Sequence, residues 1–154
     1  MEMPKPTADH KRLEKLAGDW RGKEKMYPSP WDPKGGDAQA TTRGRVALDG
    51  FAVIADYEQS RDEKRTFAGH AVYTWDAQAK EVVLHWFDSS GQGVDQFRGA
   101  WKGDQLQLQS QNPMGFWRMS YDLSKSGSMT SRMETSQDGK SWNPLFDGSY
   151  QREG

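Results

Sequence analysis

Along Gln105–Ser110 the side chains alternate strictly: Gln105, Gln107 and Gln109 share one parity, Leu106 and Leu108 the other. Successive side chains of a strand point to opposite faces, so this segment predicts a strand with one wet face and one apolar face. Similar short runs rich in Val, Tyr, Phe, Trp and Thr, punctuated by Gly, Asp and Asn, continue from Gly18 to the end of the chain. They predict strands at Asp19–Tyr27, Ala40–Leu48, Phe51–Gln59, Thr66–Thr74, Glu81–Phe87, Val94–Trp101, Gln105–Ser110, Phe116–Asp122, Ser128–Thr135 and Pro144–Gln151. Asp49-Gly50, Lys102-Gly103-Asp104 and Asp138-Gly139 supply residues that tolerate positive φ, as tight antiparallel hairpins require. No helical crossover of useful length separates the strands, which disfavours a parallel sheet. A meander of about ten strands curls and closes to remove its exposed edges, so the expected fold is an all-β, ten-stranded antiparallel meander barrel with room inside for a ligand.

The opening differs. Pro4 and Pro6 make a tail, Thr7 is placed to cap a short helix, and Leu13 and Leu16 lie three apart on one face. Such a helix can plug one barrel end. Residues 1–15 are therefore assigned to a tail and short helix, and residues 16–154 to a single barrel domain.

Composition changes the picture of the interior. Leu, Ile and Val are scarce, whereas seven Trp, five Tyr and seven Met supply the apolar surface, which suits a partly polar cavity better than a dry aliphatic core. The formal net charge of −1 gives no basic footprint for nucleic acid or an anionic membrane surface. Without cysteine there is no disulfide, thiolate site or thiol nucleophile. Residues Met1–Pro6 hold no apolar run like a signal peptide, and no stretch is long and apolar enough to span a bilayer. The expectation is a cytoplasmic protein, monomer or homodimer, with neither nucleic acid nor membrane as partner.

Four phrases point further: Gly18-Asp19-Trp20-Arg21-Gly22, Ala47-Leu48-Asp49-Gly50-Phe51, His85-Trp86-Phe87-Asp88-Ser89 and Ser136-Gln137-Asp138-Gly139-Lys140-Ser141-Trp142. With them the chain resembles an uncharacterised bacterial calycin-like family, a domain of unknown function within the lipocalin-like and fatty-acid-binding-like barrels. The resemblance covers nearly the whole chain and implies a barrel with an internal cavity, but no activity. It implies structural work for Gly18, Trp20 and Gly22, the Trp packing across the closed end and the glycines letting the strand bend. A more distant resemblance, to nitrobindin, rests on Gly18-x-Trp20-x-Gly22 followed by Tyr27-Pro28 and implies haem. Its Gly-to-Tyr spacing differs by one residue, and no histidine follows His85 where that family draws its axial ligand, so the ligand does not carry over.

The residues that can carry chemistry are few. The parity of Trp20 includes Glu24 and Met26 while Arg21, Lys23 and Lys25 take the other face, which makes Glu24 a candidate inward carboxylate. Trp31, between Pro30 and Pro33, sits on a stiff segment followed by Gly35-Gly36. It reads as a lid over the barrel mouth, against the plainer alternative of a surface loop. His10 belongs to the helical segment and is expected in solvent. His70 and His85 lie within strands, where each is either a satisfied structural histidine or one of a pair facing the cavity. Arg118 and Arg132, among aromatic and Met neighbours, offer a fork for a carboxylate or phosphate if they point inward, and solvent-facing charges if they do not. Ser136–Trp142 resembles an Asp-box hairpin, a structural turn in which Asp138 accepts backbone N–H groups and Trp142 packs beneath.

Gly-x-Ser-x-Gly, Gly-x-Gly-x-x-Gly, phosphate-loop and His-Glu-x-x-His motifs are all missing. The leading expectation is a carrier or sensor holding a small amphipathic molecule, with Glu24, Trp31, His70, His85, Trp86, Arg118 and Arg132 as ligand-binding residues and no catalytic residue, metal or cofactor. Its site is expected between the Pro28–Pro33 loop and the His85–Asp88 strand end. Behind it stand a cavity enzyme (isomerase, lyase or hydrolase) using His85 with Glu24 or Asp88, and a nitrobindin-like haem protein.

Overall fold

The computed structural model describes residues 2–153. A short helix α1 (Ala8–Arg12) runs into a tight 3-10 turn (Leu13–Leu16) and then ten strands: β1 (Gly18–Met26), β2 (Gly36–Ala47), β3 (Ala52–Arg61), β4 (Lys64–Asp76), β5 (Glu81–Asp88), β6 (Asp95–Lys102), β7 (Gln105–Asn112), β8 (Gly115–Asp122), β9 (Ser128–Ser136) and β10 (Asn143–Arg152). Each strand pairs antiparallel with its neighbour in sequence, and β10 returns to β1 to close the barrel. The expected meander is this fold. The main differences from the sequence-based bounds are extensions: β2 starts at Gly36 because Gly36 still pairs with Met26, and β4 runs from Lys64 to Asp76. Backbone pairing is indifferent to the polar side chains there, so the alternation carries no trace of it.

Closure fixes which parity faces inward. β1 and β10 pair from Trp20↔Arg152 to Met26↔Phe146. Val53 and Ala55 on β3, Ala71 and Tyr73 on β4, Leu84 on β5, Phe97 on β6, Leu106 and Leu108 on β7, Tyr121 on β8 and Tyr150 on β10 join one buried cluster. The clean alternation of β7 is realised, with both leucines fully buried and the three glutamines outside.

One end of the barrel is plugged by the N-terminal segment. Leu13 and Leu16 are buried and join Trp20 in the core. The Trp20 indole N–H donates to the Leu16 carbonyl at 3.3 Å, and the Arg152 guanidinium lies 4.5 Å from the centre of the Trp20 ring. Arg152 also donates to the Lys15 and Ala17 carbonyls, at 2.9 and 3.0 Å. The last strand thereby clamps the plug to the first. Gly18 adopts φ +112°, open to glycine and strained for other residues, where the chain turns from plug to strand. At Gly22 a Cβ would lie 1.9 Å from the Ser149 carbonyl oxygen, so the close approach of β1 to β10 requires glycine.

His10 lies at the surface and caps the start of the helix. The Thr7 backbone N–H donates to its Nδ1 at 3.0 Å, and its ring packs edge-on against Phe51 at 5.0 Å, because capping the first turn draws the side chain back over the helix start. Among the described residues no helix is long and apolar enough to cross a membrane.

Because Trp20 is almost completely buried against the plug, Trp20→Ala should cost about 3–5 kcal/mol of unfolding free energy, measurable by chemical denaturation.

Candidate functional site

Opposite the plug, the barrel opens onto a cavity of about 540 Å³, within the range of small-molecule sites. Leu16 and Trp20 form its floor, and its walls carry Tyr57, Phe67, Trp86, Trp117, Met119, Met129 and Met133. At the mouth, the segment between β1 and β2 makes a tight turn in which the Ser29 N–H donates to the Asp32 carbonyl at 2.9 Å and the Asp32 N–H returns the bond at 3.1 Å. Arg61 fixes this turn through the Asp32 carboxylate at 2.6 Å. Its Trp31 lines the cavity while remaining 60% exposed, resting against Trp117 with ring centroids 5.7 Å apart.

Glu24 is the polar centre of the interior, only 2% exposed. Its Oε1 accepts from the Tyr57 hydroxyl at 2.6 Å and the Gln59 amide at 2.8 Å, and its Oε2 accepts from the Tyr150 hydroxyl. Ser131 donates to the Tyr150 oxygen at 3.3 Å, and Thr66 donates to the Gln59 side-chain carbonyl at 3.2 Å. The network spans β1, β3, β4, β9 and β10. Glycines make space for it: a Cβ at Gly148 would sit 2.1 Å from the Tyr150 hydroxyl, and one at Gly69 would lie 2.0 Å from the Trp86 indole. Trp86 donates its N–H to Asp88 at 2.8 Å and stands 6.0 Å from the Tyr57 ring.

Burial raises the pKa of the Tyr57 and Tyr150 hydroxyls, and the nearby charge of Glu24 raises it further. Deeper in, Tyr73 and Tyr121 share a hydrogen bond of 2.8 Å. Burial pushes Tyr73 up to about 12 and raises Tyr121 as well, with Tyr73 adding to the effect. At the mouth, loss of water and the neighbouring charge of Asp88 raise the Asp95 carboxyl.

Of the residues expected to bind a ligand, Glu24, Trp31 and Trp86 line the cavity. His70, His85, Arg118 and Arg132 do not, so of the two orientations that the sequence left open for them the outward one holds, and they are removed from the candidate ligand-binding set. Ala71 and Tyr73 point inward on β4, so His70 faces out, where its Nδ1 meets the Asp56 carboxylate at 2.7 Å. His85 lies between the inward Leu84 and Trp86 and takes the outer parity. Arg118 reaches Glu134 at 3.0 Å with its guanidinium 4.0 Å from the Trp142 ring. Arg132 grips Asp147 through two bonds of 2.6 and 2.9 Å, which hold the Asp147 carboxyl below its usual range. Asp138 accepts the Lys140 and Ser141 N–H groups at 2.8 and 2.9 Å, as in the structural turn expected.

An acid–base pair of His85 with Glu24 or Asp88 is thereby overturned, since the barrel wall separates them. Haem does not fit through histidine either: among the described residues no imidazole reaches the cavity. No group of three or more His, Cys, Asp or Glu among them could hold a metal ion. Sequence reasoning missed Tyr57, Gln59 and Tyr150. Tyr57 and Gln59 share the parity of Val53 and Ala55, so an uncharged polar side chain at the end of an apolar face was the available signal.

The described residues form a closed ten-stranded antiparallel barrel, plugged by a short helix and open over an aromatic cavity. The chain belongs to the DUF1579 family, described as a protein of unknown function, which matches residues 5–152. Among solved structures it is similar to Rv2717c from M. tuberculosis, with TM-score 0.73 and 13% identity over 96% of this chain and 99% of that one. It is also similar to the S-type phycobiliprotein lyase CPES from Guillardia theta, with TM-score 0.62 and 9% identity over 96% of this chain and 94% of that one. At these identities the likeness concerns the fold. No curated protein matches the chain by sequence.

All five tyrosines have raised pKa values in the folded protein. In the unfolded chain they ionise near pH ~10, so their contribution to stability is complete below that pH and is lost as pH rises toward the folded values. Alkaline titration of the folded barrel should therefore show less tyrosinate absorbance at pH ~10 than five free tyrosines give. Tyrosinate should then appear together with loss of the β circular dichroism signal.

Proposed function

We propose that this protein is a carrier or sensor that holds a small amphipathic molecule in the barrel cavity. The observation that carries this reading is the cavity of about 540 Å³, whose aromatic and Met walls surround a buried polar network centred on Glu24. Apolar walls take up the body of a ligand, and a few placed polar groups orient its head. Trp31 serves as an adjustable rim, because its indole is largely in solvent and rests against the Trp117 ring. The phycobiliprotein lyase of similar fold supports the reading at the level of architecture. A carrier or sensor is favoured over an enzyme because the acid–base pair available in the sequence is split by the barrel wall.

Native mass spectrometry of protein purified from its own source should reveal a co-purifying small molecule. With 1-decanol as a neutral probe, Trp31→Ala should weaken binding by about 1–3 kcal/mol, the scale of one large apolar contact. The same substitution should change unfolding free energy by less than about 1 kcal/mol, since the side chain is largely exposed. Unchanged affinity, or destabilisation like that of Trp20→Ala, would make the loop packed structure and not a rim. Hemin titration should give no saturating one-to-one Soret shift, because no imidazole reaches the cavity.

A further inference from the structure

The charge of the cavity has one sign. Among the described lining residues are four carboxylates, Glu24, Asp32, Asp88 and Asp95, and no Lys, Arg or His. Asp32 is neutralised by Arg61. Glu24, Asp88 and Asp95 take part in none of the ion pairs among the described residues. The arginines that could have received an anion are spent on the outer face, Arg118 on Glu134 and Arg132 on Asp147.

Glu24 makes this asymmetry informative. Its three partners are neutral donors. They satisfy its oxygens but leave a net negative charge in apolar surroundings, where a second anion is repelled and a cation is attracted more strongly than in water. The adjacent walls suit a cation too. Tyr57 and Trp86 present tilted rings 6.0 Å apart, and aromatic faces attract organic ammonium groups. At the mouth Asp88 and Asp95 add negative potential, and loss of water together with the nearby charge of Asp88 raises the Asp95 carboxyl. A cation passing between them is drawn by that potential.

We propose that the cavity selects amphipathic organic cations, an ammonium head lying near the Glu24 carboxylate and the Tyr57 and Trp86 rings, and rejects fatty-acid-type anions. The inference rests on the small-molecule reading above and names its ligand class. An apolar tail then runs along the Met and aromatic walls, and the cation supplies the counter-charge that the protein itself lacks.

Three probes with one alkyl chain and different heads test this by isothermal titration below their micellar concentrations: decyltrimethylammonium, decanoate and 1-decanol. The cation should bind at least about tenfold tighter than decanoate, with the alcohol between them. In Glu24→Gln the ratio of cation to alcohol affinity should fall about tenfold. If circular dichroism shows that variant to be unfolded, the double variant Asp88→Asn, Asp95→Asn at the mouth decides, and its ratio should fall about threefold. Decanoate binding as tightly as the cation overturns the proposal, as does a ratio unchanged in the folded variants. In that event saturable decanol binding would leave the small-molecule reading standing. If none of the three probes binds, both readings fall together.

Discussion

The pairing of β1 with β10 is the constraint on which the rest of the structure depends. Until those strands meet, the sheet has two open edges and no inside. Once Trp20 faces Arg152 and Met26 faces Phe146, every strand has a determined inner parity. The same register brings Tyr150 beside Glu24 and Arg152 over Trp20, so one ladder sets both the polar centre and the closed end. Gly22 permits that ladder, because a side chain there would strike the Ser149 backbone.

Closing the barrel around a carboxylate carries a cost, since taking a charge out of water is unfavourable unless donors replace the lost solvation. Tyr57, Gln59 and Tyr150 replace it from both sides of the β1 strand. A purely apolar interior would avoid the cost. Retaining Glu24 with neutral partners leaves a charged focus inside a cavity otherwise lined largely by apolar groups.

The outer face follows different electrostatics. There, opposite charges join adjacent strands, Arg132 with Asp147 across β9 and β10 and Arg118 with Glu134 across β8 and β9, and His70 hydrogen-bonds Asp56 across β3 and β4. Exposed pairs of this kind contribute little each to stability. They do, however, engage Arg118 and Arg132 on the outer face, away from the inner carboxylates.

The alternation of polar and apolar positions determined all ten strands, the meander and the N-terminal plug, because period-two patterns and turn residues are local properties of the chain. It also placed Glu24 inward, since β1 separates Arg21, Lys23 and Lys25 cleanly from Trp20 and Met26. On β4, β5, β8 and β9 both parities mix aromatic, aliphatic and polar residues: His85 alternates with Leu84 and Trp86, and Arg118 with Trp117 and Met119. With both faces partly apolar, no local free-energy difference large enough to fix orientation is legible in the chain. Only closure decided it, turning the histidines and arginines outward and assembling Tyr57, Gln59 and Tyr150 around Glu24, because contacts between residues up to 126 positions apart exist only once the first and last strands meet.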